Sequence, residues 1–131
     1  MVRPLAAALT ALTFMACGDG PTAPGIQPQI TNLTDTFSYQ VSSIQNFDGT
    51  YSYTWQNTGT VAKITHASDA GATGSAILTV RDAAGTQVYS GQLASSGEPL
   101  TSPTGLAGAW TVTVAYSNYS NTQVNFGVLK Q

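Results

Sequence analysis

Strict alternation of apolar and polar residues is the feature that most constrains how this chain can fold. It is clearest in residues 51–56, where Tyr51, Tyr53 and Trp55 alternate with hydroxyl and amide residues. Successive side chains of a β-strand point to opposite faces of a sheet, so this pattern predicts one face on a core and the other in water. Burying the polar face instead would leave hydroxyl and amide groups unpartnered, at about 1 to 3 kcal/mol each. We therefore expect the aromatic side chains to point inward.

The same period of two recurs from Gln29 onward, and no stretch shows a helical period. Strand-like segments occur at residues 30–34, 36–43, 51–56, 61–66, 75–81, 86–93, 110–116 and 124–128. Seven or eight short antiparallel strands in about 100 residues predict an all-β fold, a two-sheet β-sandwich. The pattern does not distinguish an immunoglobulin-like strand order from a jelly-roll order.

Turn-forming residues mark where these strands should be connected. Residues 82–85, Asp-Ala-Ala-Gly, predict a hairpin closed by a type I turn with a glycine bulge. Asn and Ser concentrate at residues 117–121, which predicts a second hairpin between the last two strands. We expect longer loops at residues 57–60, 67–74 and 94–108, where function usually resides.

Charged residues are few, and they exclude some classes of function. The chain has 4 Lys and Arg residues against 6 Asp and Glu residues, a formal net charge of −2. Binding of nucleic acid by the usual electrostatic route needs clustered Lys and Arg, so we expect no nucleic-acid partner. The chain has one cysteine, Cys17, so the domain must fold without an internal disulfide bond.

The N-terminal residues follow the layout of a secretory signal. One positive charge, Arg3, precedes an apolar run over residues 5–15, and small residues follow it. Residues 12–18, Leu-Thr-Phe-Met-Ala-Cys-Gly, resemble the lipobox of bacterial lipoproteins, which has a large apolar residue three positions before the cysteine and a small one directly before it. The family more often has Leu in place of Phe14 and Ala or Ser in place of Met15.

An uncleaved membrane anchor and a secreted protein without lipid are the alternatives to that resemblance. A spanning helix needs about 20 apolar residues, and the run before Cys17 is much shorter. Ordinary signal peptidase requires a small residue where Phe14 stands, which also favours the lipoprotein route.

The resemblance implies a diacylglyceryl group on the Cys17 sulfur and removal of residues 1–16 as a signal peptide. Residues 17–28, rich in Gly and Pro, then form a tether of about 30 Å if extended, followed by a β-sandwich domain at 29–131. The membrane is a partner through this lipid, and the location is the cell envelope. In such lipoproteins an Asp directly after the cysteine signals inner-membrane retention. Here Gly18 takes that position, so the outer membrane is favoured.

Residues with catalytic or metal-binding chemistry are sparse. His66, Ser68 and Asp69 lie within four residues, but a catalytic triad depends on spatial arrangement and an oxyanion hole, so we predict no catalytic residues. The acidic residues of the loops are scattered and form no calcium-loop motif, so we expect no metal and no cofactor. Each is expected instead to bond its own backbone; they are Asp48, Asp69, Asp82 and Glu98.

Two functions from different classes fit these observations. The first is a non-catalytic envelope lipoprotein that binds a protein partner or has a structural role. The second is a carbohydrate-binding module on a lipid tether. Aromatic residues at turns are the ligand-binding candidates: Tyr119 within Ser-Asn-Tyr-Ser-Asn, and Phe47 before Asp48-Gly49.

Residues 108–114, Gly-Ala-Trp-Thr-Val-Thr-Val, resemble the closing strands of bacterial pre-peptidase C-terminal domains. This resemblance implies a secreted β-sandwich domain. The acidic Asp-Leu-Tyr segment typical of those domains is absent from the sequence.

Overall fold

The computed structural model describes residues 26–93 and 98–131, which form one antiparallel sheet of seven strands. The strands are β1 (Gln29–Leu33), β2 (Thr36–Asn57), β3 (Ala62–His66), β4 (Thr73–Arg81), β5 (Gln87–Gln92), β6 (Leu100–Thr101) and β7 (Gly108–Lys130). No helix occurs in these two ranges, so the prediction of an all-β antiparallel structure is confirmed. The signal peptide predicted at 1–16, Cys17 and most of the predicted tether lie outside the described residues.

Nothing helical in the described ranges is long and apolar enough to cross a membrane.

The last strand, β7, is the centre of the sheet. One of its edges pairs with β2 along almost the whole of both strands. Its other edge pairs with β4 through residues 111–120 and with β3 through residues 126–130. The short strands complete the sheet, with β1 on β2, β5 on β4 and β6 on β3. The sheet therefore has two halves joined by the long β2–β7 ribbon.

Two of the predicted strand boundaries are wrong. Residues 36–43 and 51–56 belong to the single strand β2, and the hairpin predicted at residues 117–121 does not form because β7 continues through it. The Asn and Ser residues there mark a bend. Asn118 has a φ of 45°, and on β2 the residues Ser43 and Asn46 have φ values of 58° and 46°. Register shifts flank Phe47, so both strands bend together without reversing.

The bend brings the two ends of β2 together. Phe37 and Tyr53 are 16 residues apart on one strand, a span of about 50 Å if it were straight. Their ring centroids lie 5.5 Å apart. The Asp35 amide donates to the Gln56 carbonyl at 2.8 Å, and the Trp55 indole nitrogen donates to the Leu33 carbonyl at 3.1 Å. The start of β2 therefore lies against its own end.

The buried side chains form one hydrophobic cluster, to which both ends of the bent β2–β7 ribbon contribute. Trp55 and Trp110 are fully buried and meet edge to face at 6.0 Å. Tyr51 and Tyr53 are half-buried against the same core. The polar residues that alternate with these aromatics, Ser52, Thr54 and Gln56, are exposed. The expectation that the aromatic face points inward is therefore confirmed.

The hairpin predicted at residues 82–85 is confirmed. The Gly85 amide donates to the Asp82 carbonyl at 2.9 Å, and Gly85 has a φ of 85°, a conformation that glycine adopts without strain. The Asp82 carboxylate accepts from the amides of Ala84 and Thr86, so an acidic side chain bonds its own turn as expected.

Candidate functional site

The two aromatic residues selected as ligand candidates lie side by side at the bend, where Phe47 pairs with Tyr119 across the ribbon. The expectation that Tyr119 is exposed at a turn is wrong, since its side chain is only 2% exposed. Because β7 bends there and does not reverse, the ring packs 5.4 Å from Tyr116. Its hydroxyl accepts a hydrogen bond from Asn121 Nδ2 at 3.0 Å. A ligand would find almost no surface on this ring.

Phe47 is half-buried and has more accessible surface than Tyr119. Its ring stacks on Tyr51 with 6.0 Å between centroids and 11° between planes. An edge contact with Tyr116 at 5.4 Å holds its other side. The structure thus places Phe47 in the rim of the core, and a ligand role for it stays a prediction.

The Ser, His and Asp residues that are close in sequence form hydrogen bonds with different partners. His66 Nε2 lies 3.2 Å from the Tyr89 hydroxyl, on β5. Ser68 Oγ donates to the Asn125 carbonyl, and Asp69 Oδ2 accepts from Thr122 Oγ1 at 2.6 Å. None of these three contacts is the nucleophile–base or base–carboxylate hydrogen bond that defines a catalytic triad.

The expectation that the acidic residues of the loops bond their own backbone holds for Asp82, whereas the carboxylates of Asp48 and Asp69 bond residues of β7. Asp48 Oδ1 accepts from the Asn118 amide at 2.8 Å and braces the bend. Asp82 also accepts from the Leu106 amide at 2.9 Å. Backbone hydrogen bonds, with Leu106 the largest contribution, lower the pKa of Asp82 below its usual range. Across residues 26–93 and 98–131, no three His, Cys, Asp or Glu side chains are grouped as a metal site.

A concavity lies in the half of the sheet built from β1, β2, β7 and β3. It is a groove of about 630 Å³, within the range of small-molecule sites. It is lined by Gln29, Ile30, Thr31, Phe37, Ser38, Tyr39, Gln40, Thr65, Ala67, Asn125, Phe126, Gly127 and Leu129. None of these residues is charged. We call this the outer groove.

Strand register explains the position of the outer groove. Phe37, Tyr39 and Phe126 are buried on the core side, so their neighbours along the strands point outward. One row across the sheet is then Thr31, Ser38, Gly127 and Thr65, on four adjacent strands. A second row contains Gln29, Gln40 and Asn125. Gly127 has no side chain, which leaves a depression in the middle of the first row.

The polar groups of the outer groove are mostly unpaired. Asn125 Nδ2 donates to the Ala67 carbonyl at 3.1 Å, which fixes that amide. Within the described residues, no side-chain hydrogen bond involves Thr31, Ser38, Gln40 or Thr65. Hydroxyl and amide groups both donate and accept, so these four can exchange bound water for a neutral polar ligand.

The outer face of the half built from β2, β7, β4 and β5 also carries hydroxyl side chains, but these are hydrogen-bonded to one another. Its central row is Ser52, Thr113, Thr79 and Ser90. There the hydroxyls pair with each other, Ser52 with Thr113 at 3.0 Å and Thr79 with Ser90 at 3.3 Å. We call this the hydroxyl face. It offers the same chemistry as the outer groove with fewer unpaired groups.

One feature of the sequence indicates the outer groove. Gly127 is the only glycine among the alternating residues 124–128, and it occupies an outward position between Asn125 and Leu129. A missing side chain on the polar face of a strand indicates a close approach or a depression. The residues that border Gly127 across the sheet are Ser38 and Thr65. The periodicity of a single strand does not predict which residues of other strands lie beside it.

Comparison with known proteins finds no family model that matches this chain and no curated protein that matches it in sequence.

Proposed function

We propose that this chain is an exported lipoprotein, anchored through lipid on Cys17, whose residues 29–131 form a non-catalytic binding or structural module of the cell envelope. The observation that carries this proposal is the N-terminal pattern of Arg3, an apolar run and Ala16-Cys17. This pattern resembles the lipobox of bacterial lipoproteins, and the proposed modification is therefore a diacylglyceryl group on the Cys17 sulfur. One buried acyl chain holds a protein only marginally, so the proposal requires two or three.

In this proposal the bent sheet forms the two layers of a β-sandwich. The contact between Phe37 and Tyr53, from opposite ends of β2, supports two halves packed face to face. So does the contact of His66 on β3 with Tyr89 on β5, because β3 pairs with the end of β7 whereas β5 joins the sheet through β4, which pairs with an earlier part of β7. A core shared between the halves would let the domain fold without a disulfide bond.

The described chain begins inside the predicted tether, residues 17–28, and its first residue already contacts the core. Ile26 is half-buried against the core, three residues before β1 begins. Gly18 follows Cys17, and Asp19 comes one position later, so the proposal favours the outer membrane over the inner membrane. The domain then stands on the order of 30 Å from the lipid surface when the tether is extended.

Mass spectrometry and detergent partitioning of protein purified from its own host test the anchor. We expect a mature N-terminus at Cys17, a mass increased by diacylglyceryl and acyl groups, and recovery in the detergent phase. The matched control is Cys17→Ser, which should keep residues 1–16 or be released into the aqueous phase. A wild-type protein with a free thiol and residues 1–16 still attached would contradict the proposal.

A carbohydrate-binding module is the second candidate within this frame, and the uncharged outer groove is the observation that favours it. Neutral hydroxyl and amide groups match the hydroxyl groups of sugars, whereas nucleic acids and other polyanions need Lys or Arg. Retention of the protein on insoluble polysaccharide separates this candidate from a module that binds an envelope protein or has a structural role. Retention on the polysaccharide favours a carbohydrate-binding module. Absence of retention favours a module that binds an envelope protein or has a structural role.

A further inference from the structure

We infer that the outer groove binds a neutral oligosaccharide, held by hydrogen bonds from Ser38, Gln40 and Thr65 over a floor formed at Gly127. This inference rests on the binding role proposed above and assigns it to one surface. The aromatic residues at the bend, which the sequence suggested for sugar binding, have no part in it.

The shape of the outer groove follows from one missing side chain. Gly127 lies between Ser38 and Thr65 across the sheet and between Asn125 and Leu129 along β7. A Cβ atom placed on Gly127 would lie 2.8 Å from Thr65 Oγ1, so any side chain there would displace Thr65 and fill the depression. Adjacent strands are about 4.8 Å apart, so the row from Thr31 to Thr65 is about 14 Å long. That length suits a short oligosaccharide lying across the strands.

The lining selects against charged ligands. None of the thirteen lining residues carries a charge. A phosphate or carboxylate ligand would lose its hydration without an Arg or Lys partner, which is unfavourable. A sugar hydroxyl both donates and accepts, as do Ser38, Thr65 and the amide of Gln40. The match of hydrogen-bonding capacity is therefore with neutral, polyhydroxylated ligands.

A protein partner fits the outer groove less well. Protein interfaces are anchored by large side chains, typically Trp, Tyr and Arg, set in a surface of about 800 Å² per partner. The aromatic residues that line the groove are at most 4% exposed, and they can offer no such anchor. Without accessible rings, sugar binding here relies on hydrogen bonds, so we expect moderate affinity.

The test uses the full-length protein in detergent micelles, with retention measured on insoluble cellulose, chitin and cross-linked dextran. We expect wild-type protein to be retained on at least one of them. The double variant Ser38→Ala/Gln40→Ala removes two exposed side-chain groups and should weaken retention by about tenfold or more. Gly127→Val should abolish retention by filling the groove.

The matched control carries Ser52→Ala/Thr54→Ala, which removes similar exposed groups from the hydroxyl face. It should bind as wild type does. Because Gly127→Val could disturb folding, a soluble oligosaccharide of the retained polymer is also titrated against wild-type protein by NMR. Amide shifts should change at Ser38, Gln40, Thr65 and Gly127, and those of the hydroxyl face should not.

Equal loss of retention in the control pair, or shift changes confined to the hydroxyl face, would overturn the inference. So would a wild-type protein that binds none of the three polymers. Detergent partitioning of the same preparation reports separately on the anchor. A lipidated wild-type protein that fails to bind therefore contradicts the outer groove assignment and leaves the lipoprotein proposal intact.

Discussion

The hydroxyl groups of Tyr39 and Tyr116 lie 2.6 Å apart in the core, although the two residues are 77 positions apart in the chain. Tyr39 pairs with Phe126 on β7, and Tyr116 pairs with Gly49 on β2, so the two tyrosines come from opposite halves of the bent ribbon. Their side chains are 1% and 5% exposed. This hydrogen bond therefore joins the two halves at a point where water cannot replace it.

Removing one hydroxyl of this pair should lower the free energy of unfolding more than removing both hydroxyls. Tyr39→Phe leaves the Tyr116 hydroxyl buried without a partner, and we expect it to lower the free energy of unfolding by about 1 to 3 kcal/mol. Tyr116→Phe should cost a similar amount. The double variant removes the unsatisfied group and should recover much of the loss. Urea denaturation of the four proteins, analysed as a double-mutant cycle, measures the coupling, and additive losses would contradict it.

The same pair predicts sensitivity to alkaline pH. Burial raises the pKa of Tyr39, and burial likewise raises the pKa of Tyr116, because the phenolate form is disfavoured in the core. A raised pKa means that the stability is present in full below the unfolded pKa of about 10 and is lost as the pH rises beyond it. The double Phe variant should lose less stability than wild type between about pH 9 and pH 11. If the free energy of unfolding falls equally with pH in the double variant and in wild type, the tyrosine pair does not cause the alkaline sensitivity.

Gly74 should be far less replaceable than Gly71, which lies in the loop before β4. Both have positive φ, 78° and 87° respectively, so alanine strains the backbone at either position. At Gly71 a Cβ atom meets nothing within 4 Å, and Gly71→Ala should cost about 1 kcal/mol. At Gly74 the Cβ atom would overlap the carbonyl oxygen of Asn118, at the bend of β7.

Gly74→Ala must therefore move the backbone of β4 away from the bend. We expect a loss of more than about 3 kcal/mol, or failure to fold at ordinary temperature. Thermal unfolding of the two variants side by side gives the comparison. Similar melting temperatures for Gly71→Ala and Gly74→Ala would show that β4 does not approach Asn118 this closely.

Periodicity in the sequence predicted burial far better than it predicted connectivity. The alternation around Trp55 and Trp110 is a local pattern, set by the residues next to each of them in the sequence. Both side chains are buried as expected. Whether residues near Asn118 reverse the chain or only bend it depends on pairing with β2, some 70 residues earlier. Asn at positive φ is equally suitable for both.

The prediction for Tyr119 failed for the same reason as the hairpin. A tyrosine flanked by Asn and Ser is exposed if the chain reverses there, and buried if the strand continues around the core. The outer groove was also hidden, because its row of Ser38, Gly127 and Thr65 exists only once three strands are in register. Local pattern predicted which face of each strand is polar, and long-range register decides which polar residues meet.

His66 predicts a loss of stability on mild acidification. It is half-buried near Tyr89, and burial lowers its pKa from the ordinary value because the charged imidazolium is poorly solvated there. A lowered pKa means that its contribution is present above the unfolded pKa of about 6.5 and is lost as the pH falls through the folded pKa. Wild-type protein should therefore become less stable between about pH 7 and pH 5, a window in which Asp and Glu stay largely ionised.

The variant His66→Gln keeps a polar side chain at the end of β3 and removes this titration. Its free energy of unfolding, measured by denaturant titration at each pH, should change less over the same window. Identical slopes for the two proteins would mean that His66 is equally easy to protonate in the folded and unfolded states.

Asp82 should hold the loop after β6 in place. Its carboxylate joins the hairpin to that loop, accepting from the amides of Thr86 and Leu106 at 2.9 Å each. The Leu106 carbonyl in turn accepts from the Trp110 indole nitrogen at 2.7 Å. In Asp82→Ala, exchange of the Leu106 amide with solvent should accelerate by about tenfold or more, because its acceptor is gone. Fluorescence of Trp110 should shift to longer wavelength as the loop opens.

Asp69→Ala is the matched control, since Asp69 is also a loop carboxylate but accepts from Thr122 on β7. It should leave Leu106 exchange and Trp110 fluorescence unchanged. The hydrogen bonds that lower the pKa of Asp82 stabilise its charged form, so their contribution is present above the unfolded pKa of about 3.9 and is lost as the pH falls through the folded pKa. Asp82→Ala should therefore lose less stability than wild type on acidification below about pH 4. Unchanged Leu106 exchange in Asp82→Ala would show that other contacts hold the loop.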